Sequence, residues 1–189
     1  MGESTADIID ILSQKRNSIS KKWFEAAISS YPSETVKFLR REKDRFANPV
    51  GRTVLEGVGS ILDELLKGSA PEESTVFLDN IIRIRAIQDF SPAQAIEFVF
   101  SLKGIVRDEI GKDLWESGLM DDFLDFEASV DDLAKIAFNV YMKCREEINE
   151  LRMGEMRNRT ERILQRINSV YGNTESESVQ TDDNFNRPI

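Results

Sequence analysis

Nearly everything before residue 172 repeats its apolar side chains at intervals of three and four, and no segment sustains an alternation in twos. That period is the signature of helices with one buried face, and it leaves no material for a sheet. The joints between periodic stretches carry their own stop and start signals. In "FANPVG", Asn48 is placed to cap a helix whose first residue is Pro49, a position where the missing proline N–H costs nothing. In "DFSPAQA", Ser91 is the cap, Pro92 the first helical residue and Gln94 the third, which completes a capping box. Ser33 similarly predicts the cap of a short helix carrying Val36, Phe38 and Leu39.

These signals predict an all-α fold of six to eight helices, bundle-like or globin-like, in a single domain over residues 1–171. The helices fall at about 4–30 (with a break near Asn17), 33 onward, 48–67, 72–88 and 91–111. A short piece at 113–119 then leads to one very long C-terminal helix from about Asp122, or two helices separated at Gly154. The remainder, 172–189, is polar and acidic with few large apolar residues, and reads as a disordered tail.

Composition narrows the function. A net charge of −9 argues against general binding to nucleic acid or an anionic membrane, since phosphates need a positive footprint. No apolar run approaches the roughly 18 residues of a membrane span. The start, "MGESTADIID", lacks the character of a secretory signal, and one cysteine cannot form an internal disulfide, so a cytoplasmic setting is expected. Histidine is absent. That removes Ser-His-Asp and Cys-His nucleophiles, histidine-ligated zinc and haem held by a proximal histidine. No cofactor or metal is expected, and a non-catalytic protein is favoured over an enzyme built on carboxylates and lysine.

Three apparent motifs dissolve on inspection. "GVGSIL" at 57–62 has neither the third glycine nor the preceding strand of a dinucleotide fingerprint. Its glycine, Gly59, falls with Gly51 on one side of a helix, where small residues admit a neighbouring helix. The acids Asp121, Asp122, Asp125, Glu127, Asp131 and Asp132 lack calcium-loop spacing and sit where a helix dipole favours carboxylates. Cys144 falls in the centre of an apolar face, which predicts a buried, inert thiol.

The informative oddity is a set of charges on faces that should be buried. Taking about 100° per residue, Arg85 lies inside the arc of Phe77, Leu78, Ile81 and Ile82, with Gln88 close by. Lys103 and Arg107 lie at the edge of the next helix's apolar arc, and Arg145 lies between Ala134 and Phe138. A buried charge without a partner is very costly. Asp89, four residues after Arg85, is a candidate partner for it, and Glu127 or Glu147 for the others. Internal pairing or snorkelling accounts for these residues as structure. The functional alternative is that Arg85, Gln88, Asp89, Lys103, Arg107 and Arg145 form a pocket for a small polar or anionic ligand, or a polar patch at a protein interface.

Three stretches, "RFANPVGRTVLEGVGSILDELLKG", "IIRIRAIQDFSPAQAIEFVFSLKGIVRDEI" and "AFNVYMKCREEINELRMGE", resemble the N-terminal domain of the RsbT co-antagonists of the RsbR type (RsbRD-like). The likeness covers roughly residues 8–165. It implies a helical sensory module of bacterial stress signalling, globin-like, homodimeric and without haem. In relatives a STAS domain follows and controls a partner kinase. No STAS sequence is present here, so output is expected to pass through a separate regulatory protein; stand-alone copies also suggest an adaptor for a membrane redox or signalling complex. The resemblance supplies no ligand contacts. In relatives the last helix leads to the output domain. Here its apolar stripe turns beyond Gly154 to Met156, Ile163, Ile167 and Val170, and the run "RMGEMRNRTERILQR" is locally basic, which predicts homodimerisation or docking.

Overall fold

The computed structural model describes residues 8–178 apart from 43, 45, 69 and 70; the side chains of 71, 72, 112, 113, 115–117 and 170–178 also lie outside that description. Six α-helices account for most of the described chain, and among the described residues there is no strand. They are α1 (Ile8–Ile28), α2 (Ser33–Arg41), α3 (Pro49–Leu66), α4 (Thr75–Ile87), α5 (Pro92–Ser117) and α6 (Met120–Ser178), with a 3-10 turn at Pro71–Ser74 before α4. The all-α expectation holds, as does the long C-terminal helix.

Several boundaries differ from the local signals, each for a physical reason. The first helix is unbroken at Asn17. Residues 4–7 of its expected start lie outside the described residues. Pro32 precedes α2 as its cap without a side-chain bond, and Ser33 is already helical. Helix α5 continues through Gly111 to Ser117 and takes in most of the piece expected at 113–119, because Ile110 and Leu114 are both buried on its inner face. It stops at Gly118, whose φ of 69° lies in the left-handed region that favours glycine. Helix α6 is continuous through Gly154 and reaches Ser178, beyond the expected start of the polar tail; residues 179–189 lie outside the described residues.

The chain divides into two units, Met1–Arg145 and Glu146–Ile189. In the first, α1 is central and packs on α3 and α5, and α3 packs on α4. Trp23 of α1 is fully buried, donates from Nε1 to the Phe98 carbonyl at 2.7 Å and stacks with the Phe98 ring at 6.2 Å. Buried residues on the first part of α6 recur as Phe123, Phe126, Val130, Leu133, Ala137, Tyr141 and Cys144, a three-and-four spacing that presents one continuous face inward. Cys144 is buried, as its position on that face requires.

Asn48 joins two helices with one carboxamide. Its Oδ1 accepts from the Gly51 N–H at 2.8 Å and caps α3, while its Nδ2 donates to the carbonyls of Leu39 (3.0 Å) and Glu42 (2.9 Å) at the end of α2. The close-approach glycine is Gly57. A Cβ there would lie 2.7 Å from Ile81 Cδ1 of α4, whereas Gly59 has ordinary room against Arg16 and Ser20 and Gly51 faces its own cap.

In the second unit the described part is helical, and no side chain from 146 to 169 is buried.

Candidate functional site

Side chains from other elements tie the turn that links α4 to α5. Helix α4 closes with its last helical bond, from the Gln88 N–H to the Ile84 carbonyl at 3.1 Å, and the Phe90 N–H then reaches back to the Arg85 carbonyl at 3.2 Å, the six-to-one bond of a Schellman turn. That arrangement puts Asp89 in the left-handed region, φ 58°, where glycine is usual. Helix α5 then starts at once through the Ser91–Gln94 capping box.

Side chains from distant elements converge on these three residues. Tyr31, in the link after α1, donates to Gln88 Oε1 at 3.0 Å. Tyr141 of α6 donates to the Phe90 carbonyl at 2.6 Å. Arg145, one turn further along α6, donates from Nη1 to Asp89 Oδ1 at 2.9 Å and to the Ala86 carbonyl at 3.2 Å.

Beneath the turn lies Arg85, only 1% exposed. Its Nη1 donates to the carbonyls of Gln94 (2.8 Å) and Ala95 (3.4 Å), and its Nη2 to the carbonyl of Ala27. The guanidinium also sits 4.7 Å from the Phe98 ring centre, 5.3 Å from that of Phe90 and 5.9 Å from that of Tyr31. Three carbonyl dipoles and three ring faces thus take the place of a carboxylate. Among the described residues Arg85 forms no ion pair, and its Nε has no hydrogen-bond partner. Burial draws its pKa below the ordinary arginine value, with Tyr31 and Glu97 acting in the other direction. Burial also raises the Tyr31 phenol, which the charge of Arg85 partly counters.

Of the six residues singled out from the sequence, the fold gathers four at this turn: Arg85, Gln88, Asp89 and Arg145. Asp89 answers Arg145, not the Arg85 of its own helix. Lys103 and Arg107 lie elsewhere, along the α5–α6 seam. Lys103 pairs with Asp131 at 2.7 Å, and Arg107 pairs with Glu127 at 2.6 Å while lying over the Phe123 ring at 5.7 Å. Each of the four cations therefore has protein partners. Tyr31, Phe90 and Tyr141 were not singled out as site residues. The available signal was that a tyrosine on an apolar face must find a partner for its hydroxyl.

A pocket of about 370 Å³ opens beside the turn, lined by Tyr31, Phe38, Leu39, Asn48, Gln88 and Phe90 among others. Its walls are mostly apolar, with the Tyr31–Gln88 bond on one side. Among the described residues no group of three or more cysteine, aspartate or glutamate side chains is placed to hold a metal ion, and no helix is long and apolar enough to cross a membrane.

The class of protein these features define is an all-helical domain whose α4–α5 turn is bonded to α6 by Tyr141 and Arg145. A family model described as the RsbT co-antagonist protein RsbRD N-terminal domain matches residues 17–156, most of the chain and the whole of the turn and its ties, and the chain belongs to that family. No curated protein and no solved structure matches it.

Proposed function

We propose that this chain is a regulatory module of bacterial stress signalling, not an enzyme, and that it acts by altering how α6 is held. The observation that carries this reading is the pair of ties from Tyr141 and Arg145 to Phe90 and Asp89. Arg145 is the last residue of the first unit. Whatever changes the turn, including occupancy of the pocket beside Tyr31 and Gln88, changes the restraint on α6 where it leaves that unit. Membership of a family named for RsbT co-antagonists supports a regulatory role exercised on protein partners. Self-association is part of the proposal. The exposed Phe100 and Phe138, bordering one groove on α5 and α6, support it in the first unit.

Amide hydrogen exchange across 146–169 tests the reading. Tyr141→Phe combined with Asp89→Gly should accelerate exchange there while circular dichroism reports an intact fold. Exchange that stays at the wild-type rate would refute the coupling.

A structural adaptor with no signal to sense is the second reading. It is favoured by the protein partners of Arg85, Lys103, Arg107 and Arg145, which leave these cations explained without a ligand. On that reading the same double variant lowers stability and leaves exchange in 146–169 alone.

A further inference from the structure

The exposed stretch of α6 carries a second apolar stripe. Met153, Met156, Thr160, Ile163 and Ile167 follow one another at intervals of three and four, and the large ones are between 45% and 66% exposed. This is the spacing of the inner positions of a two-helix coiled coil. With these residues on the seam, the positions flanking it are 152, 157, 159, 164 and 166. Four of the five are arginines, Arg152, Arg157, Arg159 and Arg166, and the fifth is Leu164. The nearby acids Glu155 and Glu161 fall on the outer face of the helix.

Flanking residues choose the partner, because they meet their counterparts across the seam. A parallel pair of identical helices sets Arg152 opposite Arg157 and offers Arg159 and Arg166 no carboxylate. An antiparallel pair brings the arginines against one another. Self-pairing through this stripe therefore sets like charges together and brings these arginines no carboxylate across the seam. A lipid surface fits poorly too: the stripe is one side chain wide and holds no aromatic residue among the described side chains, and the whole chain carries −9. Nucleic acid would meet the same overall charge.

We infer that this face of α6 docks a helix of another protein, one with its own three-and-four apolar stripe flanked by glutamate or aspartate. The inference rests on the regulatory reading and names the chemistry of the partner through which that regulation would act.

The test uses the full chain and two synthetic helical peptides, both with leucine at the seam positions, one with glutamate and one with lysine at the flanks. By fluorescence anisotropy at low salt the glutamate peptide should bind at least about tenfold more tightly than the lysine peptide, and added salt should weaken it. The variant Arg157→Glu/Arg159→Glu/Arg166→Glu should reverse that order. Ile163→Asp should abolish binding of the glutamate peptide, which separates seam docking from charge attraction alone. Binding that survives Ile163→Asp, equal or absent binding of the two peptides, preference for phosphatidylserine vesicles, or a homodimer dissolved by Ile163→Asp would each overturn the inference. Those results are independent of hydrogen exchange in 146–169, so the partner chemistry can fall while the regulatory reading stands, or the reverse.

Discussion

Arg145 donates to the carboxylate of Asp89 at 2.9 Å, across 56 positions of sequence, and the aspartate it holds stands in a left-handed backbone conformation. Side chain and backbone at residue 89 can therefore be separated by substitution. Asp89→Gly removes the carboxylate and relieves the backbone; Asp89→Ala removes the carboxylate and keeps the strain. Urea denaturation should find Asp89→Ala less stable than Asp89→Gly by about 1 kcal/mol. In an Arg145→Ala background the cost of losing the carboxylate should shrink, while the alanine–glycine difference stays.

Arg85 should respond to shape more than to charge. Arg85→Ala empties a buried site and strips donors from the Ala27, Gln94 and Ala95 carbonyls, so it should cost about 3–5 kcal/mol by chemical denaturation. Arg85→Met keeps most of the volume and abolishes the burial of a charge, and it should recover most of that loss. Arg85→Lys should behave more like alanine, because one ammonium cannot reach carbonyls on both α1 and α5 as the forked guanidinium does.

Gly57 and Gly59 make a matched pair two residues apart on α3. Gly57→Ala meets buried Ile81 at 2.7 Å and should destabilise the protein by about 1–3 kcal/mol. Gly59→Ala finds ordinary contact distances and should be neutral or stabilising by up to about 1 kcal/mol, from the better helix propensity of alanine. Thermal unfolding followed by circular dichroism distinguishes them.

Acid should loosen α1 from its neighbours. Arg16 donates from Nε and Nη2 to the two oxygens of Asp63, each at 2.7 Å, and holds that carboxyl below its ordinary value of 3.8. Bonds from Lys22 and Ser18 hold Glu109 below its ordinary value of 4.5. A carboxyl lowered on folding binds protons more readily in the unfolded chain. Its contribution is complete above the unfolded value and disappears as pH falls through the folded one. Urea midpoints measured from about pH 6 down to about pH 3 should therefore decline over the acid end, and the Arg16→Met/Lys22→Met variant should show a shallower decline. Both pairs are partly exposed, so salt should diminish the difference.

The joints were readable because capping is local chemistry. Asn48–Pro49 and Ser91–Pro92–Gln94 state their helix starts within four residues, and both occur as the sequence predicts. Gly111 misled because local helix propensity yields to burial: Ile110 and Leu114 hold α5 together across it. The burial of Arg85 also followed from its place on the helical arc. Its partners did not, since they are backbone carbonyls brought in by α1 and α5, and no side-chain pattern encodes them. Asp89 went to Arg145 because the left-handed turn at residue 89, a property of the folded joint, decides which way its carboxylate leaves the helix.

The carboxamide of Asn48, shared between the end of α2 and the start of α3, also bears on how the protein ages. Asparagine side chains deamidate chiefly when the backbone nitrogen of the next residue attacks the amide carbon and closes a succinimide ring. Pro49 has no N–H to become that nucleophile. The residue that opens α3 so cleanly thereby shields its neighbour from chemical wear, and the double cap should retain its nitrogen over long storage at neutral pH.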